Sequence, residues 1–188
     1  MQRASNRKKL PVSFVIYALI QFANRVSYAS VFKLLIGTGV MNVALYGAAL
    51  AAVRAAGSFF AGRGYLAKIN YYPWLLGFVA LATVPQIIAI EKGWTIPFLI
   101  LTSVKIGSLA VFQVWRDILG GKISRLGVSR AHKFNSVVSI VDFVTLGGGC
   151  LLGGALASLI DPANVIWFDI PLYASALVML LRIPTGRF

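Results

Sequence analysis

The polar residues best placed for chemistry lie inside long apolar segments. The first segment carries a stripe of polar side chains at spacings of four, three and four residues: Tyr17, Gln21, Asn24 and Tyr28. This spacing puts them on one face of a helix, with Arg25 beside it. Two interpretations remain open. The stripe bonds to a neighbouring helix, or it forms the wall of a hydrated pathway; the adjacent arginine favours the pathway.

A second intramembrane cation is expected at the depth of Arg25. The fourth apolar segment carries Lys105, and both cations are about 20 Å from the same membrane surface at 1.5 Å per helical residue. Asp169 is the one carboxylate predicted near that height. If Asp169 faces inward, it can pair with one cation and leave the other for an anionic solute or an acidic partner. The alternative is that one cation extends outward to the headgroups.

The remaining charges in apolar segments lie nearer the predicted cytoplasmic side. Arg54 and Asp142 are predicted at comparable depth, which indicates an ion pair, and Arg116 and Asp117 end the fourth segment. Breaking a buried pair leaves an uncompensated charge. We therefore predict that these residues, together with Asp169, form structural ion pairs or part of a gate.

Small residues indicate where helices approach closely. Gly149, Gly153 and Ala157 repeat every four residues in the fifth segment, and three alanines do so in the second. Such repeats let two helix backbones come into contact in lipid. They predict helix packing and indicate no particular function.

The composition argues against an enzyme, a metal site and a nucleic-acid partner. One His, one Cys and five scattered acidic residues cannot supply a metal cluster, and we find no nucleotide-binding loop or nucleophile–base pair. The formal net charge is +13, but the basic residues cluster between apolar segments, where membrane topology explains them. We predict no enzymatic activity, no cofactor, no metal and no nucleic-acid binding.

The elements that must position these residues are membrane-spanning helices. The chain is 59% hydrophobic, and each apolar segment is long enough to cross a bilayer as a helix. The fold class is therefore predicted as all-α, a polytopic integral membrane protein with six transmembrane helices. The predicted spans are residues 11–35, 41–61, 72–90, 95–119, 136–160 and 164–181.

Basic residues predict the orientation and the domain plan. Twelve Lys and Arg residues fall on one side of the predicted spans, against Lys33 and Lys92 on the other. Cytoplasmic loops carry this excess, so both termini are predicted to be cytoplasmic. The plan is a basic tail at residues 1–10, a bundle at 11–183 with a cytoplasmic loop at 120–135, and a cytoplasmic end at 184–188. Membrane lipid is an expected partner.

Several segments resemble the N-terminal half of a major facilitator superfamily transporter, closest to the bacterial drug and siderophore exporters. They are residues 57–68 (GSFFAGRGYLAK), the stretch 116–135, residues 147–154 (GGGCLLGG) and residues 167–184 (WFDIPLYASALVMLLRIP). The family's loop motif has an acidic residue where this chain has Ala61 or Gly62. The resemblance implies half of a two-part bundle in the bacterial inner membrane.

Two functions follow from the resemblance. The first is a half-size transporter that works as a homodimer or with a second six-helix partner and moves a small solute, which can be anionic, by alternating access. Gln21, Asn24, Arg25 and Lys105 would then line the substrate pathway. The second is a structural or assembly subunit of a larger membrane complex that retains the fold and transports nothing.

Overall fold

The computed structural model describes residues 2–62, 72–125 and 127–182. These residues form seven helices. They are α1 (Gln2–Thr38), α2 (Val40–Gly62), α3 (Tyr72–Glu91), α4 (Thr95–Ser124), α5 (Val128–Leu159), α6 (Pro162–Ile166) and α7 (Asp169–Leu181). The protein is all-helical, as the apolar segments predict.

Three helical stretches of the described chain are long and apolar enough to cross a membrane. They are Tyr72–Glu91, Val128–Leu159 and Pro162–Leu181, while Val40–Val53 and Thr95–Leu109 are shorter apolar stretches. Large apolar side chains remain exposed on these helices, such as Phe143 at 79% and Leu151 at 77%. An exposed apolar surface of this extent needs a lipid or protein environment.

Glycines form the tight connections between successive helices. Gly93 has a φ of 68°, its N–H donates to Ile90, and the Trp94 N–H donates to Ala89 at 2.7 Å. This pair of hydrogen bonds is a Schellman motif, which ends α3 with a glycine in the left-handed conformation. Gly39, with a φ of 111°, separates α1 from α2. Only a few residues therefore connect α1 to α2 and α3 to α4.

The helices extend further than predicted at two places. α1 begins at Gln2, so the predicted tail at residues 1–10 is largely helical. The predicted loop at 120–135 is also mostly helical, because α4 continues to Ser124 and α5 begins at Val128. Charged residues ended the predicted apolar segments, but Lys and Arg are good helix formers. The loss of hydrophobicity therefore does not end these helices.

The last predicted span is bent between α6 and α7. Pro171 has no N–H to donate to the carbonyl of Trp167, and that carbonyl instead accepts from Ile170 at 3.2 Å. The proline ring also clashes with the carbonyl four residues earlier. This tightens the chain at Trp167 and Phe168 and makes Asp169 the first residue of α7.

α1 lies at the centre of the packing. It packs against α5, α7 and α6 and more lightly against α2, while α3 packs against α4 and α7 and α2 packs against α4. One apolar core joins α1, α3, α4 and α7 around Ile20, Leu76, Phe112 and Tyr173. The polar residues of α4 and α7 must therefore lie within or beside this core.

Candidate functional site

A buried ion pair joins α4 to α7 in the middle of the bundle. The Lys105 ammonium donates to Oδ2 of Asp169, and the two residues are 4% and 0% exposed. Lys105 also donates to Oε1 of Gln86 on α3 at 3.3 Å. Because Asp169 lies in the first turn of α7, the positive end of the helix dipole also stabilises its carboxylate.

Further polar groups surround this pair and keep unused hydrogen-bonding capacity. Gln86 donates from Nε2 to the Thr102 hydroxyl at 2.7 Å, and the Lys105 nitrogen lies 5.4 Å from the centre of the Tyr173 ring. Among the described residues, Oδ1 of Asp169 and the Tyr173 hydroxyl have no hydrogen-bond partner. The cluster is polar and buried, and its members come from three helices, α3, α4 and α7.

The structure places Arg25 differently from Lys105. Its side chain is half-buried on α1, beside the half-buried Asn24, while Gln21 is buried at 5% exposure. Within the described part of the chain, no carboxylate forms an ion pair with Arg25. The two cations at similar predicted depth therefore differ. Asp169 neutralises the charge of Lys105, whereas no described carboxylate neutralises the charge of Arg25.

A second polar site joins α1, α4 and α5. The Tyr17 hydroxyl donates to Oδ1 of Asp142 at 2.7 Å, and Arg116 donates to that hydroxyl at 3.0 Å. Arg116 also reaches Oδ2 of Asp142 at 3.4 Å. The Arg116 and Asp142 side chains are 27% and 41% exposed, so this triad is open to its surroundings, unlike the pair at Lys105.

The predicted pair between Arg54 and Asp142 stays a prediction. Both Asp142 oxygens are engaged by Tyr17 and Arg116, and α2, which carries Arg54, packs mainly on α4. Asp142 therefore has two described partners, Tyr17 and Arg116, that the sequence did not pair with it. The side chains of Arg54 and Asp117 themselves lie outside the described part of the structure.

Gly149 and Gly153 lie where α5 crosses α1. A Cβ atom added to Gly149 would lie 2.6 Å from Cβ of Arg25, and one added to Gly153 would overlap the backbone of Val26. Only a residue without a side chain fits so close to another helix backbone. The Lys33 ammonium also donates to the Ala157 carbonyl near the end of α5, which adds a polar contact to this crossing.

Two members of these sites were absent from the predicted set. Gln86 and Tyr173 both contact Lys105, but they lie in mostly apolar segments, and the sequence alone assigned neither of them to a site. The sequence signal for Gln86 is that it is the single amide of α3, in the last third of the helix and directly after Pro85. Among the described residues, no group of three or more His, Cys, Asp or Glu residues could hold a metal ion.

Comparison with protein-family models, with curated proteins and with solved structures finds no match to this chain. The resemblance to the major facilitator superfamily thus rests on the sequence segments quoted above and stays a prediction. Any functional argument must come from the residues and their geometry.

Proposed function

We propose that this chain is a six-helix integral membrane protein that forms one half of a solute transporter. A second six-helix bundle, either another copy or a separate partner, would complete the pathway. Arg25 would contact an anionic solute, and Gln21 and Asn24 would supply hydrogen bonds. The solute would reach each side in turn as one bundle rocks against the other.

The ends of α3 support the membrane placement. Trp74 and Trp94 are 81% and 56% exposed and lie twenty residues apart in sequence, at opposite ends of this apolar helix. The helical part of that separation, from Trp74 to Glu91, rises about 26 Å, close to the thickness of the hydrocarbon core of about 30 Å. Tryptophan is enriched at both membrane interfaces. In this proposal α1, α2 and α4 also cross the membrane. Both termini would then lie on the cytoplasmic side of a bacterial inner membrane.

The transport proposal rests on Arg25, which forms no ion pair with a described carboxylate. Among the intramembrane cations with described side chains, Lys105 is paired with Asp169 and Arg116 with Asp142, and Lys33 donates to the Ala157 carbonyl. An unneutralised charge in a membrane is costly and usually faces a water-filled cavity or a ligand. The proposal therefore assigns solute contact to Arg25 and a structural role to Lys105.

The triad of Tyr17, Arg116 and Asp142 would then hold the bundle in one state. It joins three helices through side chains that are open enough to separate without leaving fully buried charges. Movement of α1 relative to α4 and α5 would break it. The triad therefore suits a contact that forms and breaks during alternating access.

The test is transport by the purified protein in liposomes. A panel of small monocarboxylates, dicarboxylates and phosphate esters would be presented, and uptake or charge movement would be recorded. We expect Arg25→Gln to abolish a response that Arg25→Lys partly retains. Arg182→Gln, which removes an exposed cation at the end of α7, is the matched control. Unchanged transport by Arg25→Gln would exclude the assignment.

A structural role in a larger complex is the second candidate, and one surface favours it. An apolar groove of about 630 Å³ runs between α2 and α4, lined by residues such as Leu45, Ala49, Ile100 and Val104. A helix of another subunit could occupy it. The mass of the complex purified in mild detergent separates the candidates, because fixed stoichiometry with unrelated subunits supports the scaffold.

A further inference from the structure

One exposed face of α5 changes from basic to apolar along its length. The side chains that share this face are spaced alternately by three and four residues, and all are exposed: Arg130, Lys133, Val137, Ile140, Val144, Gly147 and Leu151. Residues with this spacing form a continuous stripe on a helix. We call this set the α5 stripe. The opposite side of α5 packs against α1 through Gly149 and Gly153.

No acidic residue is close in sequence to the basic end of the α5 stripe. No Asp or Glu lies between Arg125 and Val141 in the sequence. The next acid, Asp142, is engaged by Tyr17 and Arg116. The first turn of α5 also carries no acidic residue, and no side chain caps it. Positive charge is therefore concentrated at this end of the helix.

The dimensions of the α5 stripe match one leaflet of a bilayer. From Lys133 to Val144 the helix rises about 16 Å at 1.5 Å per residue, and half of the hydrocarbon core is about 15 Å. Val137, Ile140 and Val144 are 38%, 62% and 60% exposed over that distance. A cationic pair followed by one leaflet of apolar surface fits a phospholipid with a negative headgroup.

We propose that the α5 stripe binds an anionic phospholipid, with its headgroup on Arg130 and Lys133 and an acyl chain along Val137, Ile140 and Val144. The inference rests on the membrane crossing of α5 proposed above and does not depend on transport. Clustered cations next to a membrane favour anionic over zwitterionic lipid. The preference weakens as salt screens the charges.

The test uses the full chain with Cys150→Ser and a fluorescent label on Ile140→Cys, in vesicles of phosphatidylcholine with added brominated lipid. We expect brominated phosphatidylglycerol to quench the label at a concentration roughly tenfold lower than brominated phosphatidylcholine at low salt. Arg130→Gln combined with Lys133→Gln should remove that difference. Lys92→Gln combined with Arg182→Gln changes the net charge equally and should preserve it.

A label on Phe78→Cys tests whether the preference belongs to the stripe. Phe78 is 49% exposed on α3, and its label should be quenched equally by both lipids. Three outcomes would overturn the proposal. They are equal quenching at Ile140→Cys, an unchanged preference in the Arg130 and Lys133 variant, and efficient disulfide formation between two unlabelled Ile140→Cys chains, which would show a protein interface. Quenching by neither lipid would also refute the membrane crossing of α5.

Discussion

The Lys105–Asp169 pair is the residue-scale feature that most constrains this bundle. Both side chains are almost fully buried, and Gln86 and Tyr173 contact the lysine. Removing one member of a buried pair leaves an unpaired charge, whereas replacing both with apolar residues leaves none. The pair therefore explains how two charges remain inside an apolar core without a ligand.

We expect Lys105→Met and Asp169→Leu, made singly, each to lower the free energy of unfolding by about 3–5 kcal/mol. The double variant should recover most of that loss, because neither charge remains unpaired. Thermal unfolding in mild detergent measures the difference, and Lys92→Met at an exposed position is the control. A double variant as unstable as the sum of the two single variants would contradict this account.

A substitution at Tyr17 tests the triad of Tyr17, Arg116 and Asp142, and we expect a smaller loss of stability there. Its hydroxyl bridges Asp142 and Arg116, so Tyr17→Phe removes two hydrogen bonds to charged groups. We expect a loss of about 1 kcal/mol, since solvent can replace part of these bonds at an open site. The same unfolding measurement applies. Tyr28→Phe on the same helix should change stability less, and an equal loss there would count against the triad.

At the scale of the element, the crossing of α1 and α5 depends on Gly149 and Gly153. Gly153 lies against the backbone of Val26, whereas a Cβ added to the adjacent Gly154 would meet nothing within 4 Å. The contrast arises because successive helical residues point about 100° apart. Gly153 is therefore required for close packing of the two helices, and Gly154 is not.

Gly153→Ala should therefore destabilise the protein, and Gly154→Ala should not. Forcing a methyl group against a backbone costs about 1–3 kcal/mol or separates the helices. Alanine at position 154 removes a poor helix former without a clash, so stability should hold or rise slightly. Unfolding in detergent compares the two variants. Equal effects would show that α5 does not cross α1 at Gly153.

At the scale of the whole molecule, the proposed membrane crossing makes a prediction about sidedness. Ser129 and Lys92 are both exposed, at the start of α5 and just after α3. The distribution of basic residues predicts that Ser129 lies in the cytoplasm and Lys92 outside. An impermeant thiol reagent separates these two positions directly.

In a chain carrying Cys150→Ser, we expect Lys92→Cys to be labelled in intact cells. Ser129→Cys should be labelled only after the membrane is permeabilised, because the reagent cannot cross lipid. Labelling gels on intact and permeabilised cells give the result, and the Cys150→Ser chain without added cysteine gives the background. Equal labelling of both positions in intact cells would contradict the proposed orientation.

The amino-acid sequence alone determined the helical class and the positions of the main breaks. Segment length and hydrophobicity are local properties, so α3 was predicted at residues 72–90 and is found at Tyr72–Glu91. The stripe from Tyr17 to Tyr28 and the isolated charges of the apolar segments were equally visible. The helical continuation into basic residues was missed because hydrophobicity, and not helix propensity, defined the ends.

Only the tertiary structure decided which charges meet. Counting residues gives depth along a helix, but pairing also depends on helix rotation, on crossing and on bends such as the one at Pro171. For that reason Asp169 is found with Lys105 rather than Arg25, and Asp142 is found with Arg116 and Tyr17, which the sequence did not predict as its partners. The sequence determined which charged side chains lie inside the bundle and need partners. The packing of the helices determined which of them form ion pairs.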